Sequence, residues 1–385
     1  MNDHPPSDDD GLRWAVGALQ LSPSQAKALQ HFELADPFND GVRLRGFLCR
    51  IADHRYGALA LTHVDGREAR QLIAATPKLH YPFDKEGVFS FPAVQRMWVT
   101  DKLDGTNVLA FRYVDGDGNT RTTFKLRLSP VLRDGPHGDF LQMWKELLQR
   151  HPQIVDVVDK NDVSLSFEMY GSRNHHLIHY DAPLELALLF GVSKDFDVVP
   201  LAHLDAAGLP TAPLLFATQQ EQSPVDRYQQ LRTAMQQQVL HVDDGYTGTE
   251  GAVFTVEDTD GAMRLYKCKP AVIEEIHWAR GIHKDAVLVT CKNVFESNDE
   301  LTFDTLQPLL LEEYSQSDVD GFRSVIDVCI GEVNAAKAFE QRVLRAYADT
   351  GLSFADDRAA VMRLLAATFS KHDMKHIYSV LERHT

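Results

Sequence analysis

The chain has 385 residues, 44% of them hydrophobic, which is ample for two or three domains with their own cores. Its four cysteines, Cys49, Cys268, Cys291 and Cys329, stand without paired spacing, which opposes a disulfide framework or a zinc site and fits a reducing cytoplasm. No apolar run approaches membrane-spanning length, and the opening Met1 to Asp10 is acidic without the features of a signal peptide, so no membrane partner is expected.

In chain order, residues 1–20 read as a disordered acidic tail and residues 21–90 as a small N-terminal α/β domain. Ser22 to Ala35 has helical periodicity behind a Ser-Pro start, and Val42 to Cys49 reads as a strand with Tyr56 to Val64 as its partner. Ala75 to Phe83 sets prolines around aromatic residues, as an ordered linker does. Residues 91–270 follow as the core. Lys102-Leu103-Asp104-Gly105 closes a strand with a sharp turn, in which the short acid can bond ribose hydroxyls or hold the turn itself. Residues 106–128 form a hairpin through Val114 to Asn119, and its alternating aspartates and glycines are turn chemistry, since the later ligands of a calcium loop are missing.

Leu165 to Gly171 is a mostly apolar strand carrying Glu168, and a buried carboxylate there needs a metal, a ribose hydroxyl or a lysine. His175, His176 and His179 lack a matching ligand cluster, so substrate contacts or structural hydrogen bonds suit them better than a metal. Phe190 lies in an apolar run and reads as either core or base platform. Glu250 and Gly251 open a hydrophobic strand, which pairs through the turn at Glu257 to Gly261 with Arg264 to Lys269, where cationic and apolar residues alternate. From 271 to 385 the pattern is helical, over 272–281 with Gly281 as cap, then 304–315, 319–348, 355–369 and 372–383.

The net charge of −16 runs against phosphate binding, yet basic residues concentrate at Arg121, Lys125, Arg127 and Arg133 and again from Arg264 to Lys292. That distribution predicts a local basic cleft on an acidic body.

The ordered motifs at Lys102 to Gly105, Phe167 to Gly171, Leu188 to Gly191, Glu250-Gly251 and Lys267-Cys268-Lys269 resemble the covalent nucleotidyltransferase superfamily, and within it the ATP-dependent RNA ligases. The resemblance implies an α+β fold: a mixed α/β nucleotidyltransferase core, flanked here by the small N-terminal domain and an all-helical C-terminal domain. It implies that Lys102 takes AMP from ATP, passes it to an RNA 5′-phosphate, and that a 3′-hydroxyl then seals the strand, a reaction that serves RNA repair. Lys102, Glu168, Glu250, Lys267 and Lys269 are the implied catalytic residues. Asp101, Gly105, Asn107, Arg127 and Phe190 join them at the nucleotide, with Arg127 preferred over Arg121 and Arg133. Glu168 and Glu250 are the implied ligands of magnesium or manganese, and the C-terminal helices are implied to select RNA or to join a homodimer. Asp101 departs from the family's usual glutamate. DNA ligases and GTP-dependent capping enzymes place an OB barrel after the second lysine pair, where this chain turns helical; an RNA-binding regulator without catalysis is the remaining alternative.

The chemistry of attack requires a free amine at Lys102. An ordinary lysine has a pKa of about 10.4, and reaching roughly 7–8 means destabilising the ammonium by about 4 kcal/mol. Burial together with Lys267 and Lys269 as neighbouring cations is the expected source.

Overall fold

The computed structural model describes residues 8–51, 53–84, 87–134, 139–174, 176–242, 245–274, 301–314, 316–354 and 357–384, with Lys284, Val287, Leu288, Thr290 and Cys291. His175 and the expected helix end at Gly281 lie outside them. The chain divides into two compact units, Met1–Ala279 and Arg280–Thr385, whereas the sequence suggests boundaries at 20, 90 and 270.

The tail expected to be disordered to residue 20 carries helix α1 (Asp8–Ala18), which buries Ala15 with Leu19 and Leu21 against Phe47, Ala58 and Ala60. The helix expected over 22–35 is also corrected. Ser22 and Gln25 close a capping box on a short 3-10 turn (Pro23–Ala28), and the chain then extends as β1 (Leu29–Ala35). Strand β1 pairs antiparallel with β2 (Arg43–Cys49), from Leu29 opposite Cys49 to Ala35 opposite Arg43. Pairing satisfies a row of backbone groups that an isolated helix of this length would stabilise only marginally. Strands β3 (Leu59–Val64) and β4 (Arg67–Ile73) complete a four-stranded meander.

Beyond it come β5 (Val94–Asp101), β6 (Thr106–Val114) and β7 (Thr120–Lys125), then helices α2 (Phe140–Arg150) and α3 (Ile154–Asn161). Strands β8 (Ser164–Tyr170), β9 (Glu185–Val192), β10 (Val198–Pro200) and β11 (Leu214–Gln219) lead to helix α4 (Pro224–Gln236). A small pair, β12 (Leu240–Val242) and β13 (Gly245–Thr247), precedes the hairpin of β14 (Ala252–Asp258) and β15 (Met263–Cys268). Two sheets result, in the orders β10-β9-β8-β6-β7 and β11-β5-β14-β15. Both expected hairpins, at 106–128 and at 250–269, form.

Alternation along β6 explains how the sheets combine. Val108 and Ala110 point to one face, where Trp144 and Leu147 of α2 and Val157 and Val158 of α3 cover the sheet. Residues 107, 109, 111 and 113 point to the other. Phe111 and Tyr113 pack under the first meander with Phe32, Leu44 and Leu61, so that sheet shares a core with the rest of the unit. Leu109 joins Phe190 and Val192 against Leu265 of the opposing sheet, and half-buried Asn107 precedes it on the same face of β6. The outer face of the second sheet rests on α4 through Tyr228 and Met235.

The second unit is helical, with α5 (Phe303–Glu313), α6 (Gln316–Gly321), α7 (Arg323–Thr350), α8 (Arg358–Leu365) and α9 (Met374–His384). Two apolar clusters sit along α7, one around Ile326 and Cys329 and one around Val343. No strand occurs among the described residues of this unit. None of the described helices is long and apolar enough to cross a membrane.

Candidate active site

Strand register assembles the site from residues far apart in sequence. The β5–β14 pair sets Asp101 opposite Ala252, and the Lys102 N–H continues the ladder by donating to the Gly251 carbonyl at 2.9 Å. A Cβ on Gly251 would lie 2.2 Å from the Cys268 carbonyl oxygen, so only glycine allows Glu250 to enter this corner. The Lys102 ammonium then donates to Glu250 Oε2 at 2.5 Å, and the Lys269 ammonium reaches Oε1 of the same carboxylate at 2.8 Å.

A second close approach brings in Glu168. A Cβ on Gly105 would meet the Met169 carbonyl oxygen at 2.2 Å. With glycine there, β6 starts tight against β8, Thr106 opposite Met169 and Asn107 opposite Glu168. Asp104 holds the neighbouring loop, accepting from the N–H groups of Leu177 at 2.6 Å and Ile178 at 2.7 Å, while its own N–H donates to the Tyr180 hydroxyl. The Asp104 carboxylate thus ties its own turn to the distant 177–178 segment, a contact that neither sequence-based reading anticipates.

Electrostatics reverses one expectation. Burial lowers the Lys102 pKa, but the negative charges of Glu250 and Glu168 outweigh it and hold the amine above the ordinary lysine range. The expected depression by Lys267 and Lys269 is absent because the groups facing this amine are carboxylates. Burial raises Glu250, yet Lys102 and Lys269 overcome that and hold it at about 2. Glu168 is pushed up to about 8, by burial first and by Glu250, against the pull of Lys102.

The other candidates divide. Burial raises the Asp101 carboxyl, which accepts from the Thr249 hydroxyl at 2.7 Å. The Lys267 ammonium lies 4.6 Å from the centre of the Tyr81 ring, in the segment that runs beside β15 at His80. Phe190 is buried in the apolar cluster between the sheets, with partly buried Val253 packing on it from β14. Asn107 donates to Ser166 Oγ at 2.8 Å and to the Phe167 carbonyl at 3.1 Å. Arg127 donates to the Pro77 carbonyl.

The basic cleft expected from Arg121 to Arg133 does not form as one surface. Arg121 is paired with Asp115 at the hairpin tip, and Lys125 is wholly buried, donating to the carbonyls of Gly57, Leu126 and Arg127. Among the described residues no group of His, Cys, Asp and Glu forms a three-ligand metal site; His176 lies 3.3 Å from the Thr106 hydroxyl and the His179 N–H donates to Tyr246 O.

Sequence reasoning missed Thr249, Val253, Tyr180, Tyr81 and helix α4. For α4 the signal was present: Ser223-Pro224 is the same start that misleads at Ser22-Pro23. What separates them is the partner each segment meets, which the dipeptide does not carry.

No protein-family model matches the chain, and no curated protein sequence matches it either. Solved structures similar to it include ATP-dependent RNA ligases and a putative ATP-dependent DNA ligase. An archaeal ATP-dependent RNA ligase is 16% identical over 88% of this chain and 82% of its own, with a TM-score of 0.47. The putative DNA ligase, from Aquifex aeolicus, is 13% identical over 93% of this chain and 88% of its own, with a TM-score of 0.40. A variant of the Naegleria gruberi RNA ligase with AMP and manganese is 17% identical over 48% of this chain and 52% of its own, with a TM-score of 0.34.

Proposed function

We propose that this chain is an ATP-dependent RNA ligase that joins 3′-hydroxyl and 5′-phosphate ends through a lysyl-AMP and an RNA-adenylate. The observation that carries the reading is the convergence of Lys102 and Lys269 on the Glu250 carboxylate, with the charge of Glu168 also bearing on Lys102. Lys102 keeps 20% of its side-chain surface open, so a nucleotide phosphate can reach it.

Glu168 and Glu250 are two buried carboxyls at one site, and the charge of Glu250 helps to raise Glu168 to about 8; hard-oxygen donors of this kind would suit magnesium or manganese, which Glu168 and Glu250 would hold. When bound, such an ion neutralises phosphate charge and competes for the carboxylates that now keep the Lys102 proton in place. Lys102 Nζ, once deprotonated, forms a bond to the α-phosphorus as the bond to the pyrophosphate oxygen breaks. Lys269 and Lys267 offset the charge that develops on the phosphate oxygens. The AMP then passes to an RNA 5′-phosphate oxygen, and a 3′-hydroxyl attacks that phosphorus with AMP as the leaving group. Phe190 would stack on the base, with Val253 of the facing sheet on the same apolar cluster, when the space between the sheets opens to admit it.

The choice of RNA rests on the helical second unit, which stands where duplex-sealing relatives in the resembled superfamily carry an OB barrel. The test is incubation with α-labelled ATP or GTP and a divalent ion, followed by denaturing electrophoresis. ATP should label the chain through an acid-labile bond, GTP should not, and Lys102→Ala should label at background. Labelling of that variant overturns the assignment, and sealing of nicked DNA in preference to RNA overturns the choice of substrate.

A further inference from the structure

The strand that carries the two lysines is held from behind by one helix. Tyr228 of α4, fully buried, donates its hydroxyl to the Lys267 carbonyl at 3.2 Å, and the Cys268 thiol points at the Tyr228 carbonyl. One turn further along α4, Arg232 Nε donates to the Lys269 carbonyl at 3.1 Å, and its guanidinium pairs with Glu274. Gln236, a turn later still, accepts from the Val272 N–H at 3.0 Å.

The middle contact differs in kind from the others. Ladder pairing with β14 ends at Cys268, and Pro270 has no N–H, so the Lys269 peptide lies beyond the sheet that fixes its neighbours. The Arg232 bond does there what a strand partner does one residue earlier. Glu274, only 3% exposed, has its carboxyl raised by burial against the pull of Arg232, and the charges of Lys269 and Lys267 also bear on it. A guanidinium can serve both groups because its donors diverge in a fixed plane.

We infer that Arg232 is a positioning residue for nucleotidyl transfer: with Glu274 it fixes the Lys269 backbone, and through it the place where the Lys269 ammonium meets Glu250 and the transferring phosphate. The inference rests on the reading of the site given above. It requires no contact between Arg232 and the nucleotide.

The experiment is single-turnover formation of lysyl-AMP by the full chain and by Arg232→Ala, Arg232→Lys, Lys269→Ala and the Arg232→Ala/Lys269→Ala double variant. Arg232→Ala should slow adduct formation by about 10- to 100-fold, the size of effect that a small displacement of a catalytic group produces. Its KM for ATP should stay within roughly threefold, since the lost alignment acts in the transition state. The double variant should be no slower than Lys269→Ala, because both changes remove the same interaction. Free guanidinium below denaturing concentration should restore part of the rate to Arg232→Ala and none to Lys269→Ala. Arg232→Lys keeps a cation beside Glu274, guards against loss of the fold, and should still be slow. Wild-type rates in either single Arg232 variant, multiplied losses in the double variant, or failure of guanidinium to act would each overturn the inference. A wild-type chain that forms no adduct would instead overturn the reading of the site, and this inference with it.

Discussion

Two lysines of the first unit turn inward and meet opposite surroundings. Lys102 faces the carboxylates of Glu250 and Glu168, and although burial lowers its pKa, those charges hold it above the ordinary lysine range. Lys125 has no exposed surface and donates to three backbone carbonyls, at 3.0 Å to Gly57, 2.8 Å to Leu126 and 2.9 Å to Arg127. Burial, then the charges of Arg127 and Arg50, push it down to about 7. Burial makes both amines sensitive to their neighbours, and the formal charge of those neighbours decides the direction. The lysine with the lowered pKa is therefore the enclosed one, and the partly open one keeps its proton. Under the proposed function, the free amine at Lys102 would have to arise when a nucleotide binds and changes the charge around Glu250.

The largest break in this contrast comes from Glu250→Gln, which removes the charge that both Lys102 and Lys269 share. Truncating one member of a buried charge pair costs about 3–5 kcal/mol, so the variant should unfold at lower denaturant and lose nucleotide labelling, even at alkaline pH where the released Lys102 amine is free. Recovery of labelling at high pH would show that Glu250 serves only to hold the proton.

Lys125→Met comes next. It leaves three buried carbonyls without their donor, a loss of about 3 kcal/mol, while labelling at the intact Lys102 should persist. The sign of its pH dependence follows from linkage. With a folded pKa of about 7 against 10.5, the unfolded chain binds more protons between those values, so this lysine makes stability rise with pH across that window. Denaturation midpoints at pH 7, 8 and 9 should therefore climb in the wild type relative to the variant, which keeps the opposing dependence of Glu168 but lacks this one. Equal slopes in the two would remove Lys125 from the account.

Glu168→Gln should have the smallest effect on stability and the opposite sign. Its folded pKa of about 8 against 4.5 means that the folded chain binds more protons in that range, so Glu168 makes stability fall as pH rises. The variant should gain about 1–2 kcal/mol over the wild type at pH 8, with little difference at pH 5 and with loss of adduct formation. A variant destabilised at pH 8 would mean that Lys102 compensates Glu168 more fully than this environment indicates.

Much of the site was legible because its signals are local. Glu168 and Glu250 stand out as carboxylates in apolar strand-like runs, and Lys269 as a cation in an alternating strand, and the structure brings Lys269 onto Glu250. The turn residues Asp115 to Asn119 and Asp258 to Gly261 close both hairpins through their own side-chain and backbone hydrogen bonds. Lys125 shows the limit. Its charge and its place beside Arg121 and Arg127 suggest a phosphate-binding surface, but the carbonyl of Gly57, 68 residues away, makes it an interior group.

The sequence by itself determined the order of the motifs, the two hairpins and the helical character of the second unit, because each depends on residues within a turn or a strand of one another. Tertiary structure alone decided that Leu29 to Ala35 is a strand, that Lys125 is enclosed and that Lys102 rests as an ammonium. A strand needs the partner that satisfies its backbone, and a buried charge takes its state from the groups that replace water around it. For Lys102 the decisive group is Glu250, 148 residues along the chain, and no local pattern reports its distance.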